Sequence, residues 1–288
     1  MTDADHPERA GAVPAGVDPS RPSPARVYSY LLGGDHHFAA DRAAAAALTT
    51  RAPDLAAAAR ANRAFHLRAA SWIAGQGVSQ FIDLGSGLPA AGSTHEAVRR
   101  VVPGARVAYI DNDPMVAAYG PELLGADPGA VILQADLRDP DDVLSRPELR
   151  RLIDLGRPAG LLATAVLHFV ADDSDPAGLI AQYMAALPEG SYLALSHMTA
   201  DDRPPAAARA LAQLSQVAAG GGRLRSRAEV ARLFDGLTLV PPGPGAGPEV
   251  TWVGHWRSDD PAAAECAGSR WLYGGVARRP ARLAAPEY

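Results

Sequence analysis

FIDLGSGLPAAGS, residues 81–93, is the stretch of sequence that indicates the fold. It opens with a short apolar run that contains Asp83 and is typical of a buried strand. Gly85 and Gly87 then allow a tight turn, because glycine adopts positive φ angles without steric cost. We expect a helix to begin near Pro89, since proline is tolerated in the first helical turn. This order of elements is typical of α/β domains that bind ligands at the carboxyl ends of their strands.

Downstream of this stretch, apolar strands alternate with helical segments. Such alternation predicts a parallel sheet that is covered by helices on both faces. The fold class is therefore α/β, with one doubly wound domain from about residue 76 to residue 288. The further predicted strands are residues 106–111, 130–136, 160–170 and 190–198, followed by LTLV (237–240), EVTWVGHW (249–256) and WLYGGVAR (271–278).

Upstream of the domain, the composition changes twice. Residues 1–24 are rich in proline, glycine and charge, and we expect them to form a disordered tail. Residues 25–75 contain three helical patterns and form a predicted N-terminal extension or lid over the binding edge.

The composition excludes several kinds of chemistry. All 27 basic residues are arginine, which excludes a lysine Schiff base, a lysine general base and the usual P-loop. A single cysteine, Cys266, excludes an intramolecular disulfide and a multi-cysteine zinc site, and the histidine spacing predicts no metal. A net charge of -5 argues against binding to nucleic acid. The apolar segment 161–170 is too short to span a membrane and no secretory signal is visible, so we expect a cytoplasmic protein.

Three aspartates stand at the ends of three consecutive predicted strands: Asp83, Asp111 and Asp136. Because the carboxyl ends of parallel strands meet at one edge, we expect these side chains to line that edge. Asp111 is placed to accept hydrogen bonds from ribose hydroxyls, and Asp136 or the backbone of Leu137 can bind an adenine amino group. Strand-end aspartates also form turns and cap helices, and this alternative stays open.

Two cofactors are compatible with this arrangement. GSGLPA, residues 85–90, satisfies the G-x-G-x-x-A pattern of dinucleotide-binding domains. However, Asp83 would add negative charge near a pyrophosphate, and Pro89 removes an N–H that a phosphate would use. A carboxylate at this place suits the ammonium group of S-adenosylmethionine. The pattern favours S-adenosylmethionine over NAD.

The chain resembles the class I S-adenosylmethionine-dependent methyltransferases, whose first three cofactor motifs match FIDLGSG, YIDND and QADL. More narrowly, it resembles the actinobacterial S-adenosyl methyltransferase family that was formerly a domain of unknown function. The segments that carry this resemblance are PSPARVYSYLLGGDHHFAADR, AARANRAF, FIDLGSGLPAAGSTHE, YIDNDPM, ALSHMTAD and LYGGVAR.

The resemblance implies a Rossmann-like sheet of seven strands, mostly parallel, with an antiparallel last strand. It also implies that the methionine portion of the cofactor contacts Asp83 and the glycine loop. Pro89 replaces the third loop glycine that is common in methyltransferases. The predicted cofactor-binding residues are Asp83, Gly85, Ser86, Gly87, Asp111, Asn112, Asp136, Leu137 and Ala165.

Acceptor-side residues are expected after the fourth strand, in ATAVLHFV (163–170). His168 is the predicted catalytic base for a hydroxyl or carboxyl acceptor, and a histidine that only packs beneath a loop is the alternative. Tyr28 and Tyr30 lie on different helix faces, so at most one faces the ligand. Arg63 could pair with a carboxylate. The predicted substrate or lid residues are Tyr30, His37, Arg63 and His197.

The sequence therefore predicts an S-adenosylmethionine-dependent methyltransferase that modifies a small molecule at oxygen or nitrogen. An NAD-dependent oxidoreductase and a non-catalytic S-adenosylmethionine-binding regulatory protein are the alternatives, the latter because no residue is an unambiguous catalyst. The expected partner is a small-molecule methyl acceptor, with no nucleic acid and no membrane. The oligomeric state stays open, and a homodimer is one option.

Overall fold

The structure, a computed structural model, describes residues 13–88, 92–219 and 223–281. Eight strands lie within these ranges. They are β1 (Gln80–Leu84), β2 (Arg106–Asp111), β3 (Ala130–Gln134), β4 (Gly160–Thr164), β5 (Tyr192–Met198), β6 (Thr238–Leu239), β7 (Thr251–Trp252) and β8 (Leu272–Arg278).

Helices cover both faces of the sheet. The described helices are α1 (Pro24–Leu31), α2 (Ala39–Arg51), α3 (Leu55–Gly75), α4 (Thr94–Arg99), α5 (Pro114–Leu124), α6 (Pro140–Ser145), α7 (Pro147–Leu152), α8 (Pro176–Ala186), α9 (Pro205–Ala219), α10 (Arg227–Arg232) and α11 (Pro261–Glu265). Three short 3-10 turns span Leu167–Phe169, Asp172–Ser174 and Ala267–Trp271. No helix of the described ranges has the length and apolar character needed to cross a membrane.

The strands form one sheet in the order β3-β2-β1-β4-β5-β8, and β6 and β7 both pair with the free edge of β8. Strands β1 to β5 are parallel, whereas β8 runs antiparallel to β5. The predicted α/β class with an antiparallel last strand is therefore confirmed. The strand count differs from the expected seven by one, because two strands of two residues each share one edge position beside β8.

Strand β1 lies at the centre of the sheet, and all five of its residues are buried. Alternate side chains of a strand point to opposite faces, so Phe81 and Ile82 enter two separate hydrophobic clusters. Phe81 packs in the cluster that contains Phe65 and Ile73 of α3. The chain order reverses between β1 and β4, which is the place where open α/β sheets bind ligands.

The N-terminal region is more tightly built than expected. All three predicted helices are present, and α3 packs against the sheet as an integral layer of the domain. Residues 13–23 fall in the predicted disordered tail, but Val17 packs against Met115 and Val116, and the Ser23 amide donates to Asp41. These contacts attach this part of the tail to the domain. Residues 1–12 lie outside the described ranges.

Two element boundaries lie beside the glycine loop and the fourth strand. Residues 160–170, a predicted strand that runs into a loop or turn, are extended up to Thr164, and Ala165, with a φ of 53°, starts the turn. In the described residues after the glycine loop, a helix begins at Thr94, with Ser93 at its N-cap position. Pro89 itself lies outside the described residues.

Candidate functional site

A cavity of about 620 Å³ lies at the carboxyl ends of the parallel strands. The strand-end residues Asp83, Asp111 and Asp136 line one side of it, as the parallel register requires. Helices α1, α2, α3 and α9 contribute further walls, together with residues 16–23, the loop after β4 and the start of β8. The three predicted aspartates therefore share one cavity with the N-terminal helices.

Asp83 is a buried carboxylate in a short polar chain. Thr94 donates its hydroxyl to Asp83 Oδ2 at 2.8 Å, and the two His66 nitrogens lie 2.8 Å from the hydroxyl oxygens of Thr94 and Thr164. Burial raises the pKa of Asp83 to about 7, against the lowering effects of the Thr94 hydrogen bond and the Arg63 charge. A cation placed at this carboxylate would relieve the cost of burying its charge.

The glycine loop links Asp83 to Asp111. The amides of Gly85 and Ser86 donate to Ile110 O, and the Gly87 amide donates to Asp111 Oδ2 at 2.8 Å. Gly85 has a φ of 62°, and a Cβ there would lie 2.2 Å from Val166 Cγ2. Gly87 has a φ of 64°, but a Cβ there would meet no atom of the described residues within 4 Å. Close packing therefore requires glycine at the first position, whereas the second faces open space.

Asp111 is the carboxylate at the end of β2. It also accepts a hydrogen bond from the Asp113 amide at 2.9 Å. Burial is the main cause that raises the pKa of Asp111 to about 6. Asn112 lines the cavity beside it.

Beyond β3, Asp136 and Leu137 line the cavity, as predicted. The Asp136 carboxylate is engaged by Arg138, whose Nη2 lies 2.6 Å from Oδ2. The backbone oxygen of Leu137 accepts the Tyr183 hydroxyl at 2.9 Å. A ligand that binds Asp136 must therefore share this carboxylate with Arg138.

Arg63 enters the cavity from α3. Its Nη2 donates to Gly92 O at 2.8 Å, while its Nε is buried and has no hydrogen-bond partner among the described residues. A guanidinium with unused donors suits an incoming carboxylate.

The loop after β4 carries Ala165 and His168, and both line the cavity. His168 is 3% exposed, and its Nδ1 has no hydrogen-bond partner in the described part of the chain. Burial, with smaller contributions from the charges of His197 and Arg225, holds the pKa of His168 well below its usual value. This histidine is therefore neutral at pH 7 and can accept a proton.

Arg225 holds this loop in place, and sequence reasoning missed it. Its buried guanidinium donates to the backbone oxygens of Leu167 and Val170 at 3.0 and 3.2 Å and to Asp172 Oδ1 at 2.6 Å. Its Nη1 also lies 2.7 Å from His197 Nε2. The partners in the loop precede Arg225 by 53 to 58 residues in the sequence, so no local pattern could reveal these contacts.

Three predicted substrate or lid residues do not line the cavity: Tyr30, His37 and His197. The rings of Tyr30 and His37 pack edge to face, with centroids 4.9 Å apart. Both His197 nitrogens are engaged, one by Arg225 and the other by Met198 O at 2.7 Å. His197 therefore supports the loop after β4 and does not contact the cavity.

Tyr28, rather than Tyr30, is the α1 tyrosine that reaches the cavity. Its hydroxyl donates to Ala59 O at 3.1 Å and accepts from Asn62 Nδ2 at 3.0 Å. Ser196 donates to Asn62 Oδ1 at 2.5 Å and accepts from the Ala165 amide at 2.9 Å. This chain of hydrogen bonds joins α1 to the turn after β4. The spacing of Tyr28 and Tyr30 predicted that at most one of them faces the ligand, but only the rotation of α1 about its axis shows that it is Tyr28.

The cavity wall away from the strand-end aspartates is apolar. We call it the apolar wall, and it consists of side chains that pack in or against one hydrophobic cluster. Its residues are Val27, Leu31, Leu48, Leu55, Leu211 and Leu272.

Comparisons with known proteins agree with this geometry. The model of a family described as "S-adenosyl methyltransferase" matches residues 10–280. The structure of a protein assigned as a methyltransferase, from Thermobifida fusca YX, is 39% identical, with a TM-score of 0.85 over 93% of this chain and 98% of that chain. A DUF574 family protein from Streptomyces avermitilis MA-4680 is 37% identical, with a TM-score of 0.82 over 91% and 99%.

A more distant likeness concerns the fold alone. An O-methyltransferase family protein from Burkholderia thailandensis is 15% identical, with a TM-score of 0.50 over 79% of this chain and 60% of that chain. No match was found among curated proteins. The family match decides between the two cofactors that the glycine loop left open, and the expected resemblance is confirmed. The chain belongs to the S-adenosyl methyltransferase family and is an S-adenosylmethionine-dependent methyltransferase.

Proposed function

We propose that this methyltransferase binds S-adenosylmethionine along the strand-end aspartates and methylates a small molecule at oxygen or nitrogen. The observation that carries the proposal is that two buried carboxylates, Asp83 and Asp111, flank the glycine loop on one cavity wall. Asp83 suits the ammonium group of the methionine portion, and Asp111 suits the ribose hydroxyls.

Other cavity residues fit the same ligand. Arg63, with a buried Nε that lacks a partner among the described groups, suits the carboxylate of the methionine portion. The open space at Gly87 lets a ligand approach the backbone closely. Asp136 and Leu137 stand where the adenine ring is expected, beside Asn112. Ser86 and Ala165 complete the proposed cofactor site.

S-adenosylmethionine, when bound, supplies an electrophilic methyl group on a sulfonium sulfur. What the protein contributes is mainly the placement of a nucleophile close to that methyl group. Because His168 is neutral and lines the cavity, we assign it the role of general base for an acceptor hydroxyl. Arg225 orients the loop that carries it.

Calorimetric titration of the full chain with S-adenosylmethionine and S-adenosylhomocysteine tests the cofactor site. Asp83→Asn should weaken binding by roughly 30-fold, since a hydrogen-bonded charge contact is worth about 2 kcal/mol. Asp235→Asn, at an exposed position outside the cavity, serves as the control and should leave affinity unchanged. Equal affinity of the Asp83→Asn variant and the unmodified protein would contradict the proposed site.

A further inference from the structure

One face of α3 runs along the cavity and changes in character from its start to its middle. Leu55, Ala58 and Ala59 line the cavity first, and Arg63 and His66 follow. At about 1.5 Å per residue, Leu55 lies roughly 16 Å from His66 along the helix axis. Because His66 belongs to the polar chain of Asp83, the start of α3 marks the opposite end of the cavity.

Other elements add apolar residues to the cavity lining. Val27, Leu48, Leu55, Leu211 and Leu272 belong to one cluster of buried residues, and Leu31 packs against it. They come from α1, α2, α3, α9 and β8, so the apolar wall draws on several sides of the cavity. None of these residues lies at the strand ends whose aspartates the proposed function assigns to the cofactor.

Arg26 and Asp136, two charged residues that line the cavity, are both paired with other protein groups. Arg26 Nε donates to Asp41 Oδ2 at 2.8 Å, and the same guanidinium contacts the backbone oxygens of Asp18 and Arg21. Asp136 is paired with Arg138. The six residues of the apolar wall carry no polar side chain, and the uncharged side chains of Tyr28, Asn62 and His168 line the same cavity.

We propose that the apolar wall binds an uncharged aromatic molecule with a phenolic hydroxyl as the methyl acceptor, an inference that rests on the proposed function of the cavity. An anionic acceptor would need a cation at this wall and a cationic acceptor would need a carboxylate, because an unpaired buried charge is costly. The described wall offers neither. Tyr28 and Asn62 already bond to each other, which leaves His168 as the polar group for the acceptor.

His168 favours a phenol among uncharged hydroxyl compounds, because it lines the cavity and its buried Nδ1 lacks a partner among the described residues. A neutral imidazole is a weak base and takes a proton with difficulty from an alcohol, whose hydroxyl has a pKa near that of water, about 15.7. A phenol, with a pKa of about 10, gives up its proton more readily. In the transfer the oxygen–methyl bond forms, the sulfur–methyl bond breaks, and the hydroxyl proton passes to His168.

Matched naphthalene probes test this inference on the full chain saturated with S-adenosylhomocysteine. The probes 1-naphthol, 1-naphthoate and 1-naphthylmethylammonium share one ring system and differ in charge. Calorimetry should show that 1-naphthol binds about tenfold or more tightly than either ion, because an unpaired charge loses its hydration in the cavity. With S-adenosylmethionine in place of the product, the same 1-naphthol should gain one methyl group by mass spectrometry.

A charge introduced into the wall should reverse this preference. Leu31 lines the cavity and is half-buried, so Leu31→Arg can place a guanidinium there without emptying the core. We expect Leu31→Arg to bind 1-naphthoate more tightly than 1-naphthol. Leu32→Arg is the matched control, since Leu32 is half-buried, adjacent in sequence and not part of the cavity lining. This control should keep the order of the unmodified protein.

The outcomes separate this inference from the one on which it rests. Failure of S-adenosylhomocysteine to bind would contradict the proposed function. If that ligand binds but 1-naphthoate or the ammonium probe binds as tightly as 1-naphthol, the acceptor class is wrong while the cofactor site stands. An unchanged preference in Leu31→Arg would also overturn the assignment of the apolar wall.

Discussion

The two ends of the cavity are built in different ways. At the cofactor end, which comprises Asp83, the glycine loop and Asp111, these residues lie within 29 consecutive residues (83–111), at the ends of two adjacent strands. At the other end, the apolar wall draws on residues from Val27 to Leu272. The comparison teaches that the residues proposed to bind the cofactor are set by a short stretch of sequence, whereas the proposed acceptor wall arises from packing between distant segments.

The two ends also differ in how their positions are held. Buried hydrogen bonds hold the cofactor end, such as those from Thr94 to Asp83 and from the Gly87 amide to Asp111. The apolar wall is held by non-directional packing, which tolerates changes of shape better than a polar network does. We therefore expect substitutions to have sharper effects at the cofactor end, except where a polar contact supports the other end.

The largest expected effect comes from Gly85→Ala. A Cβ at this position would collide with Val166, and the positive φ would add strain, so we expect a loss of about 4 kcal/mol of stability. Gly87→Ala is the matched control: it introduces strain without a collision, and should cost about 1 kcal/mol. Urea unfolding measures both. Equal losses would show that close packing against Val166 does not explain the first glycine.

Arg225→Met should have the second largest effect. It tests whether one polar residue holds the loop after β4, which carries His168. The change leaves His197 Nε2 and the oxygens of Leu167 and Val170 without their donor, and should cost about 3 kcal/mol in urea unfolding. It should weaken 1-naphthol binding more than S-adenosylhomocysteine binding.

Arg223→Met is the control for the contacts of Arg225. Arg223 also pairs with Asp172, at 2.9 Å, but it is 45% exposed, so its loss should cost at most about 0.5 kcal/mol. If both variants lost the same stability, the buried contacts of Arg225 would not be the cause.

A third prediction concerns pH and the cofactor end. Burial raises the pKa of Asp83 to about 7 in the folded protein, from its ordinary value of 3.8. The folded state therefore holds a proton that the unfolded state has lost, and stability without ligand should decrease as pH rises through this interval. Binding of an ammonium group needs the carboxylate, so the affinity for S-adenosylmethionine should instead increase with pH.

The size of this pH effect is measurable. Below the pKa of Asp83, we expect the dissociation constant for S-adenosylmethionine to rise about tenfold for each unit by which the pH falls. Calorimetry over a pH series measures it, and Asp83→Asn should remove this pH dependence of affinity between pH 6 and 7 and make the stability slope smaller. Asp111, whose pKa is raised to about 6, keeps its own part of that slope. An affinity that improves as the pH falls would contradict the contact between Asp83 and the ammonium group.

The smallest expected effect is that of Tyr28→Phe, which tests whether the two ends are connected. Removing the hydroxyl leaves Asn62 Nδ2 without its acceptor in the chain that leads to Ala165, at a cost of about 1 kcal/mol. Urea unfolding measures the loss. A change in S-adenosylhomocysteine affinity larger than about twofold would show that α1 also positions the cofactor end.

Much of the fold and of the cofactor end could be predicted from the sequence. Strands β1 and β2 end where the apolar runs end, and the parallel register brings Asp83 and Asp111 to one edge. In the described residues after the glycine loop, a helix begins at Thr94, and the predicted start near Pro89 lies outside those residues. The cofactor roles of these residues stay predictions.

The acceptor side was less accessible to such reasoning. The sequence prediction named Tyr30, whereas Tyr28 lines the cavity. Which of the two faces inward depends on the rotation of α1 against α3, and no local sequence pattern indicates this rotation. His197 resembled a site residue because it ends β5, yet Arg225 and Met198 occupy its nitrogens.

Local order in the chain is enough to specify the strand ends, since apolar runs and glycine turns act over a few residues. The alternation of strands and helices was likewise enough to specify the parallel sheet and its binding edge. Only the folded chain decides which side chains form the apolar wall and which histidine, His168, lines the cavity after β4. The physical reason is that burial and hydrogen-bond pairing depend on neighbours that come from distant parts of the chain.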